Sequence, residues 1–283
     1  MNIFNSRYVL ERVAKNTAVH IFLMAAAAAC LLPLFWMIRS SLMSNATIFT
    51  DQALFPHEFN AGNYATAWVR GNFSVYFLNS VLYTVSVVAG IVMIASLAAF
   101  AFSRLRFPGR DVLFYMFVAA MMIPLPGSFV PLFVMMSKLH LTNSPLGYIL
   151  CMINVGLPLS ILLLKTFFDK MPQDLEDAAR IDGCSRVQIL WHVALPLARP
   201  AIAVIVMYNT LNVWNEFILA NLLLNDKSLM PLQTGLMAFA GTHQVDYPVL
   251  MAGLTITAIP VVAVYVFMQK HIVKELWTGV LVG

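Results

Sequence analysis

Long apolar runs constrain the fold of this chain more than any other feature. A helix needs about 20 mostly apolar residues to cross the hydrocarbon core of a bilayer. Runs of that kind occur at about 18–38, 75–102, 112–136, 146–168, 201–224 and 249–268. Because lipid offers no hydrogen-bond partners, the backbone of each run must satisfy its own polar groups. We therefore predict an all-α integral membrane protein with six transmembrane helices in a single domain over residues 1–283.

Composition and the first run agree with this interpretation. The chain is 60% hydrophobic and only 11% charged, whereas soluble domains carry about 25% charged residues. The run at 18–38 resembles a signal peptide, yet it continues past Cys30 to Ile38. That length is enough to span a bilayer, so we expect an uncleaved helix.

The distribution of lysine and arginine predicts which side of the membrane each loop occupies. With six spans, both termini and the polar stretch 171–200 lie on one side, and that side carries 13 of the 17 basic residues. Cytoplasmic loops are enriched in lysine and arginine. We therefore expect the termini and 171–200 to be cytoplasmic. The same distribution explains the pI near 9.0 without nucleic-acid binding.

The stretch 171–200 predicts a cytoplasmic hairpin of two short amphipathic helices. Gly183 is suited to a left-handed C-cap after the first helix, and Ser185 with Gln188 forms a capping-box pattern for the second. We expect Pro196 to end that second helix. An amphipathic hairpin could lie on the lipid surface, but the region 165–200 carries five acidic and five basic residues, which is a poor match to an anionic surface. A protein partner is the better expectation.

The usual enzyme motifs are missing from the sequence. It contains no G-x-x-x-x-G-K-[ST] phosphate loop, no H-E-x-x-H and no G-x-S-x-G. The histidines are isolated, and the three cysteines have no metal or redox spacing. We therefore expect neither an enzyme nor a metal site.

One carboxylate lies well inside an apolar run. Glu216 falls in the fifth run, beside Asn212 and Asn215. A charge at that depth is costly unless it faces a partner or a water-filled path. These three residues are therefore candidates for a translocation path. The alternative is a packing role, in which Glu216 makes an interhelical hydrogen bond with Asn212 or Asn215.

The hairpin also resembles a known family. Its run E-D-A-A-R-I-D-G, followed twelve residues later by L-P, resembles the EAA loop of permease subunits in binding-protein-dependent ABC importers. The fuller run L-E-D-A-A-R-I-D-G-C-S-R-V-Q-I-L-W-H-V-A-L-P-L-A-R-P-A-I is similar to the sugar-importer branch, the relatives of the smaller maltose-importer permease. Trp214 to Phe217, Pro260 and the tail 269–283 also resemble that branch.

The resemblance implies a type I ABC importer permease whose hairpin docks in a cleft of a cytoplasmic ATPase. The coupling surface would comprise Glu176, Asp177, Ala178, Ala179, Asp182 and Gly183, with Leu195 and Pro196 fixing the return to the membrane. The chain departs from the family pattern at four positions: Asp177 replaces a usual glutamate, Cys184 an alanine, Glu275 a glycine and Val282 a common lysine. The last two leave a contact between the tail and the ATPase in doubt.

The resemblance also implies the function and the partners. The expected function is import of a sugar or oligosaccharide, with an ATPase dimer, a second similar permease and an extracytoplasmic binding protein. ATP and magnesium would be bound by the ATPase, so this chain needs no cofactor. The alternative is an ATPase-independent secondary transporter or channel, which would be expected to show internal repeats or several buried charges. The sequence shows neither.

Overall fold

The computed structural model describes residues 3–70, 72–123, 125–239 and 245–280. Its elements in the described residues are all helical, which confirms the all-α prediction. The α-helices are α1 Ile3–Ser41, α2 Gly62–Arg70, α3 Phe73–Arg104, α4 Arg110–Ala120, α5 Leu125–Lys138, α6 Pro145–Lys170, α7 Gln173–Ile181, α8 Arg186–Ile189, α9 Leu195–Leu197, α10 Arg199–Asn215, α11 Ile218–Leu223, α12 Leu232–Gly235 and α13 Tyr247–Val280. A π-helical turn, Leu190–Ala194, joins α8 to α9.

Contacts divide the chain into two compact units. The first comprises Met1–Arg70 and Phe239–Ile256, and the second Gly71–Ala238 and Thr257–Gly283. Helix α13 begins in the first unit and continues into the second.

In the first unit, a buried arginine organises the loop after α1. The Arg39 side chain donates to the carbonyls of Ala53 and Asp51, both at 2.8 Å, and pairs with the Asp51 carboxylate at 3.6 Å. That carboxylate also accepts from the Ala53 backbone N–H at 2.9 Å and contacts the His57 ring at 3.0 Å. The bond from Ala53, followed by that from His57, lowers the pKa of Asp51 to about 2.

The core of the second unit is built on the packing of α3 against α6, with α10 across both. One face of α3 is buried at four-residue spacing, as a packed helix requires; its members are Tyr83, Val87, Ile91, Ala95 and Ala99.

A small residue and a polar side chain bring these three helices close together. A Cβ atom on Gly156 of α6 would collide with Ile91 of α3 and with Asn209 of α10. The Asn209 amide donates to the Ser160 hydroxyl of α6 at 3.0 Å. Small residues and side-chain hydrogen bonds are the usual means of helix association in membranes.

Helix length alone does not confirm the prediction of six spans. Among the described residues, four helical segments are long and apolar enough to cross a membrane: Lys15–Ser41, Phe73–Arg104, Pro145–Lys170 and Tyr247–Phe267. A bent pair, Arg186–Leu197 with Arg199–Asn215, would make a fifth, although its two parts meet at 77°. The count of six stays a prediction.

The third and fifth predicted spans are divided in the structure. The run 112–136 consists of α4 and α5, separated at a turn that precedes Pro124. Proline removes a backbone donor and disfavours helix at the residue before it. In the fifth run, α10 ends at Asn215 and Glu216 has an extended backbone, with φ −69° and ψ 131°.

The prediction that Pro196 ends the second hairpin helix is wrong. The helical path continues through the π turn Leu190–Ala194 to Leu197. Pro196 lies within this helical path, directly after the π turn, and both a proline and a π turn alter the regular hydrogen bonding of a helix. Ala198 then separates this segment from α10.

Candidate functional site

Local sequence determines the turn of the hairpin. Helix α7 ends at Ile181, and Gly183 has a φ of 82°. The N–H of Cys184 donates to the Ala179 carbonyl at 2.9 Å, and the N–H of Gly183 donates to the Arg180 carbonyl at 3.0 Å. This is the left-handed cap that the sequence predicted. A Cβ atom on Gly183 would meet no neighbour within 4 Å, so backbone conformation is what requires glycine here.

The second hairpin helix begins with the predicted capping box. The backbone N–H of Ser185 donates to the Gln188 side chain at 2.8 Å. The N–H of Gln188 donates to the Ser185 hydroxyl at 3.4 Å. Both caps of the hairpin are thus confirmed, and they hold its tip in one conformation.

The predicted coupling residues of α7 and its turn fall on two faces. Glu176 and Ala179 are buried, at 3% and 9% exposure. Asp177, Ala178, Asp182 and Gly183 are exposed. Leu195 is half-buried and Pro196 exposed. Only the exposed members are available to a partner.

Glu176 is held by an arginine that the sequence analysis did not single out. Its carboxylate forms an ion pair with the Arg104 guanidinium, at the end of α3. Both side chains are less than a tenth exposed. Arg104 also donates to the Met171 carbonyl at 2.8 Å, and Arg180 contacts the other oxygen of Glu176 at 3.8 Å. The pair joins the hairpin to the end of the second predicted span. No local pattern in the sequence relates Glu176 to Arg104, so this pair could not be predicted from spacing.

The hairpin presents large apolar side chains outside the predicted spans. Ile181, at its turn, is 87% exposed, and Val187 and Trp191 are more than half exposed. In the second helix of the hairpin, Leu190 and Ala194 are buried, whereas Val187 and Trp191 are exposed. These exposed side chains are candidates for contact with a partner.

Glu216 caps a short helix. Its two carboxylate oxygens accept from the backbone N–H groups of Leu219, at 2.6 Å, and Ala220, at 2.9 Å. The hydroxyl of buried Tyr148 donates to the same carboxylate at 3.3 Å. The expectation that Asn212 or Asn215 would be its packing partner is therefore wrong. A carboxylate at the start of α11 satisfies donors that a helix leaves unpaired.

Asn212 and Asn215 lie on an exposed face of α10. Together with half-exposed Tyr208 they occupy positions i, i+4 and i+7, which share one side of a helix. The Asn215 amide donates to the Leu211 carbonyl at 2.8 Å, and its oxygen accepts from Gln233 at 3.4 Å. A polar face on an otherwise apolar helix is costly against lipid, so it calls for a polar partner or a water-filled path.

Comparisons with known proteins agree on one family. Residues 90–278 match the family model described as "Binding-protein-dependent transport system inner membrane component". The chain is 32% identical to the diacetylchitobiose uptake system permease protein NgcG of Streptomyces coelicolor, over 92% of this chain and 87% of the relative. It is also 32% identical to the trehalose/maltose transport system permease protein MalG of Thermococcus litoralis, over 96% and 99%.

A solved structure shares the fold. A chain from the crystal structure of a bacterial ABC transporter involved in the import of the acidic polysaccharide alginate superposes with a TM-score of 0.81. The two chains are 25% identical, and the match covers 92% of this chain and 97% of the other.

Proposed function

The chain belongs to the family of inner membrane components of binding-protein-dependent transport systems, and we propose that it passes a sugar or oligosaccharide through the membrane. It is a permease subunit of an ABC importer and not an enzyme. The observation that carries the proposal is the similarity, over nearly the whole chain, to permeases named for diacetylchitobiose and for trehalose and maltose. An ATPase-independent carrier is not favoured, because the family works with binding proteins and ATP.

A separate ATPase dimer would supply the energy by docking on the hairpin 171–200. The exposed residues Asp177, Ala178, Asp182 and Gly183, with Ile181 between them, offer the contact surface. Glu176 and Ala179 contribute from the buried side, where Glu176 ties α7 to Arg104. Movement of the docked ATPase would then reach α3 through this pair. ATP and magnesium would be bound by the ATPase, since this chain lacks a phosphate loop.

A second, similar permease would complete the path. The polar face of α10, with Tyr208, Asn212 and Asn215, supports this because it needs a polar surrounding within the membrane. Asn212 and Asn215 could offer amide groups to a passing sugar. Glu216 would act on the path indirectly, by holding the break between α10 and α11. An extracytoplasmic binding protein would deliver the sugar.

The proposed orientation has both termini and the hairpin in the cytoplasm. It rests on the excess of basic residues on that side, 13 of 17 in the chain. A multi-pass protein of the inner membrane agrees with the family to which the chain belongs.

Uptake in intact cells tests the proposed function. Cells with and without this gene would be supplied with radiolabelled maltose, trehalose or diacetylchitobiose at micromolar concentration. We expect at least one sugar to be taken up only when the gene is present. That uptake should stop when ATP is depleted with arsenate and persist when an uncoupler collapses the proton gradient. Uptake that follows the proton gradient and ignores ATP would favour the secondary transporter instead.

A further inference from the structure

A basic pocket lies where the α3–α4 turn meets the hairpin. It has a volume of about 450 Å³. Five arginines and two carboxylates line it, an excess of three positive charges: Arg104, Arg106, Arg110, Arg180 and Arg186, with Glu176 and Asp177.

Two of these arginines are available to a ligand. The two carboxylates contact Arg104 and Arg180, and Arg110 pairs with the neighbouring Asp111 at 2.8 Å. Arg106 and Arg186 are exposed, and in the part of the chain that the structure describes neither forms an ion pair. Two unpaired guanidinium groups at one pocket are suited to the oxygens of a phosphate, which arginine binds with a planar fork of donors.

A second, mainly apolar cavity lies farther along α4. Leu113, Phe117 and Ala120 follow Arg110 on the same stripe of the helix and form the α4 side of this cavity, which has a volume of about 490 Å³. Its other sides are formed by α6 and by Tyr208 at the edge of the polar face of α10. Helix α4 has no buried residue, so its apolar side chains are open to a ligand. From Arg110 to Ala120 the helix rises about 15 Å, which is half of the roughly 30 Å hydrocarbon core of a bilayer.

We propose that the basic pocket and the cavity along α4 bind an anionic phospholipid of the cytoplasmic leaflet. Its phosphate would lie between Arg106 and Arg186, and an acyl chain would follow Leu113, Phe117 and Ala120. The charge excess matches an anionic headgroup, and basic pockets at the cytoplasmic ends of membrane helices bind such lipids. The leaflet assignment rests on the proposed orientation. The lipid would brace the end of α3 against the hairpin, at the Arg104–Glu176 pair.

Native mass spectrometry of the full-length chain in detergent tests the site. The probes are dioleoyl phosphatidylglycerol and, at equal concentration, dioleoyl phosphatidylethanolamine. We expect the chain to retain phosphatidylglycerol preferentially. The double variant Arg106→Gln/Arg186→Gln should bind it roughly 30-fold more weakly, because each basic side chain contributes about fivefold to the attraction. Arg199→Gln is the matched control: Arg199 is exposed, begins α10 and lies outside the pocket, so its loss should change nothing.

Other outcomes would overturn the proposal. Equal retention of the two lipids would show that charge does not select the ligand. If millimolar glycerol phosphate or inorganic phosphate displaces the lipid, the pocket is a site for soluble phosphate. Equal affinity for dihexanoyl phosphatidylglycerol, whose acyl chains are short, would likewise show that no acyl chain binds along α4. Displacement of the lipid by a bound ATPase subunit would assign the pocket to that interface. If the double glutamine variant does not fold, the double variant Arg106→Lys/Arg186→Lys is used in its place. It keeps both positive charges, so it must still bind phosphatidylglycerol in preference to phosphatidylethanolamine. None of these measurements depends on transport, so failure here is distinguishable from failure of the proposed function.

Discussion

The carboxylate of Glu176 and the guanidinium of Arg104 form an ion pair that is almost wholly enclosed, with side chains 4% and 8% exposed. Glu176 belongs to the hairpin helix α7, and Arg104 is the last residue of α3. Arg104 also donates to the Met171 carbonyl, at the start of the hairpin. The pair is a charged contact between the hairpin and the end of the second predicted membrane span. It offers a mechanical route by which movement of the hairpin reaches a membrane helix.

Breaking this pair should destabilise the chain. Removing one partner of a buried ion pair costs about 3–5 kcal/mol, because the other charge is left buried and unpaired. We expect Glu176→Ala to lower the unfolding temperature of the purified protein. Asp177→Ala, one residue away but exposed, should lower it much less. The double variant Arg104→Met/Glu176→Leu should recover most of the loss. Additive effects of the single changes would contradict a direct pair.

Gly183 should be required for coupling more than for insertion. A side chain at its φ of 82° is strained, by about 1–2 kcal/mol, and would distort the hairpin tip. We expect Gly183→Val to insert into the membrane but to lose ATPase co-purification and uptake. Gly109→Val is the control, because Gly109 has a φ of 80° with equally open surroundings but lies outside the hairpin. If both variants lose the ATPase equally, the effect is general strain and the specific role of Gly183 is refuted.

Glu216 should contribute to the stability of the fold, whereas Asn212 and Asn215 should contribute to transport. Glu216→Ala removes the acceptor for the N–H groups of Leu219 and Ala220, which should cost about 1–2 kcal/mol as loss of a helix cap. We expect lower abundance and a lower unfolding temperature. Asn212→Leu removes only an exposed amide, so abundance should hold while uptake falls. Immunoblots measure protein abundance and labelled-sugar uptake measures transport, so both measurements on the same cells distinguish a loss of stability from a loss of transport. Normal abundance of Glu216→Ala with abolished uptake would instead make Glu216 a path residue.

The Asp51 carboxylate should stabilise the loop after α1 except at very low pH. Its pKa in the folded state is about 2, below the usual value of 3.8. Because the pKa of Asp51 is lower in the folded state, its carboxylate stabilises the fold fully above the usual pKa of 3.8. This stabilisation is lost as the pH falls towards the folded-state pKa of about 2. The difference in unfolding temperature between wild type and Asp51→Asn should therefore shrink as the pH falls from about 4 towards 2. A difference that grows with acidity would contradict this.

Local signals in the sequence predicted the hairpin well. Gly183, Ser185 and Gln188 act on backbone groups within a few residues, so their roles follow from spacing alone. The Arg104–Glu176 pair could not be predicted in this way, because it depends on how α3 packs beside the hairpin. Proline was ambiguous for a similar reason. Pro196 reads equally as the end of one helix or the start of the next, and only the surrounding path decides.

Hydropathy did not predict the break in the fifth apolar run. A run of apolar residues predicts a span, but it does not show where the backbone leaves the helical conformation. Glu216 lies at the break, but its place in an apolar run had indicated a translocation path or an interhelical hydrogen bond with Asn212 or Asn215. Its hydrogen bonds to Leu219 and Ala220 show a cap instead. Glutamate is not among the usual N-cap residues, so no local pattern in the sequence pointed to this cap.

Cross-linking from the hairpin tip tests the central claim most directly. Ile181→Cys would be introduced into the chain with Cys30, Cys151 and Cys184 replaced by alanine, because Ile181 is 87% exposed. The control is Leu54→Cys, which is 68% exposed in the loop predicted to be extracytoplasmic. A short bifunctional reagent applied to native membranes should join the Ile181→Cys chain, and not the Leu54→Cys chain, to an ATPase subunit identified by mass spectrometry. Absence of an ATPase adduct at Ile181→Cys, or equal adducts at both positions, would contradict ATPase coupling through the hairpin.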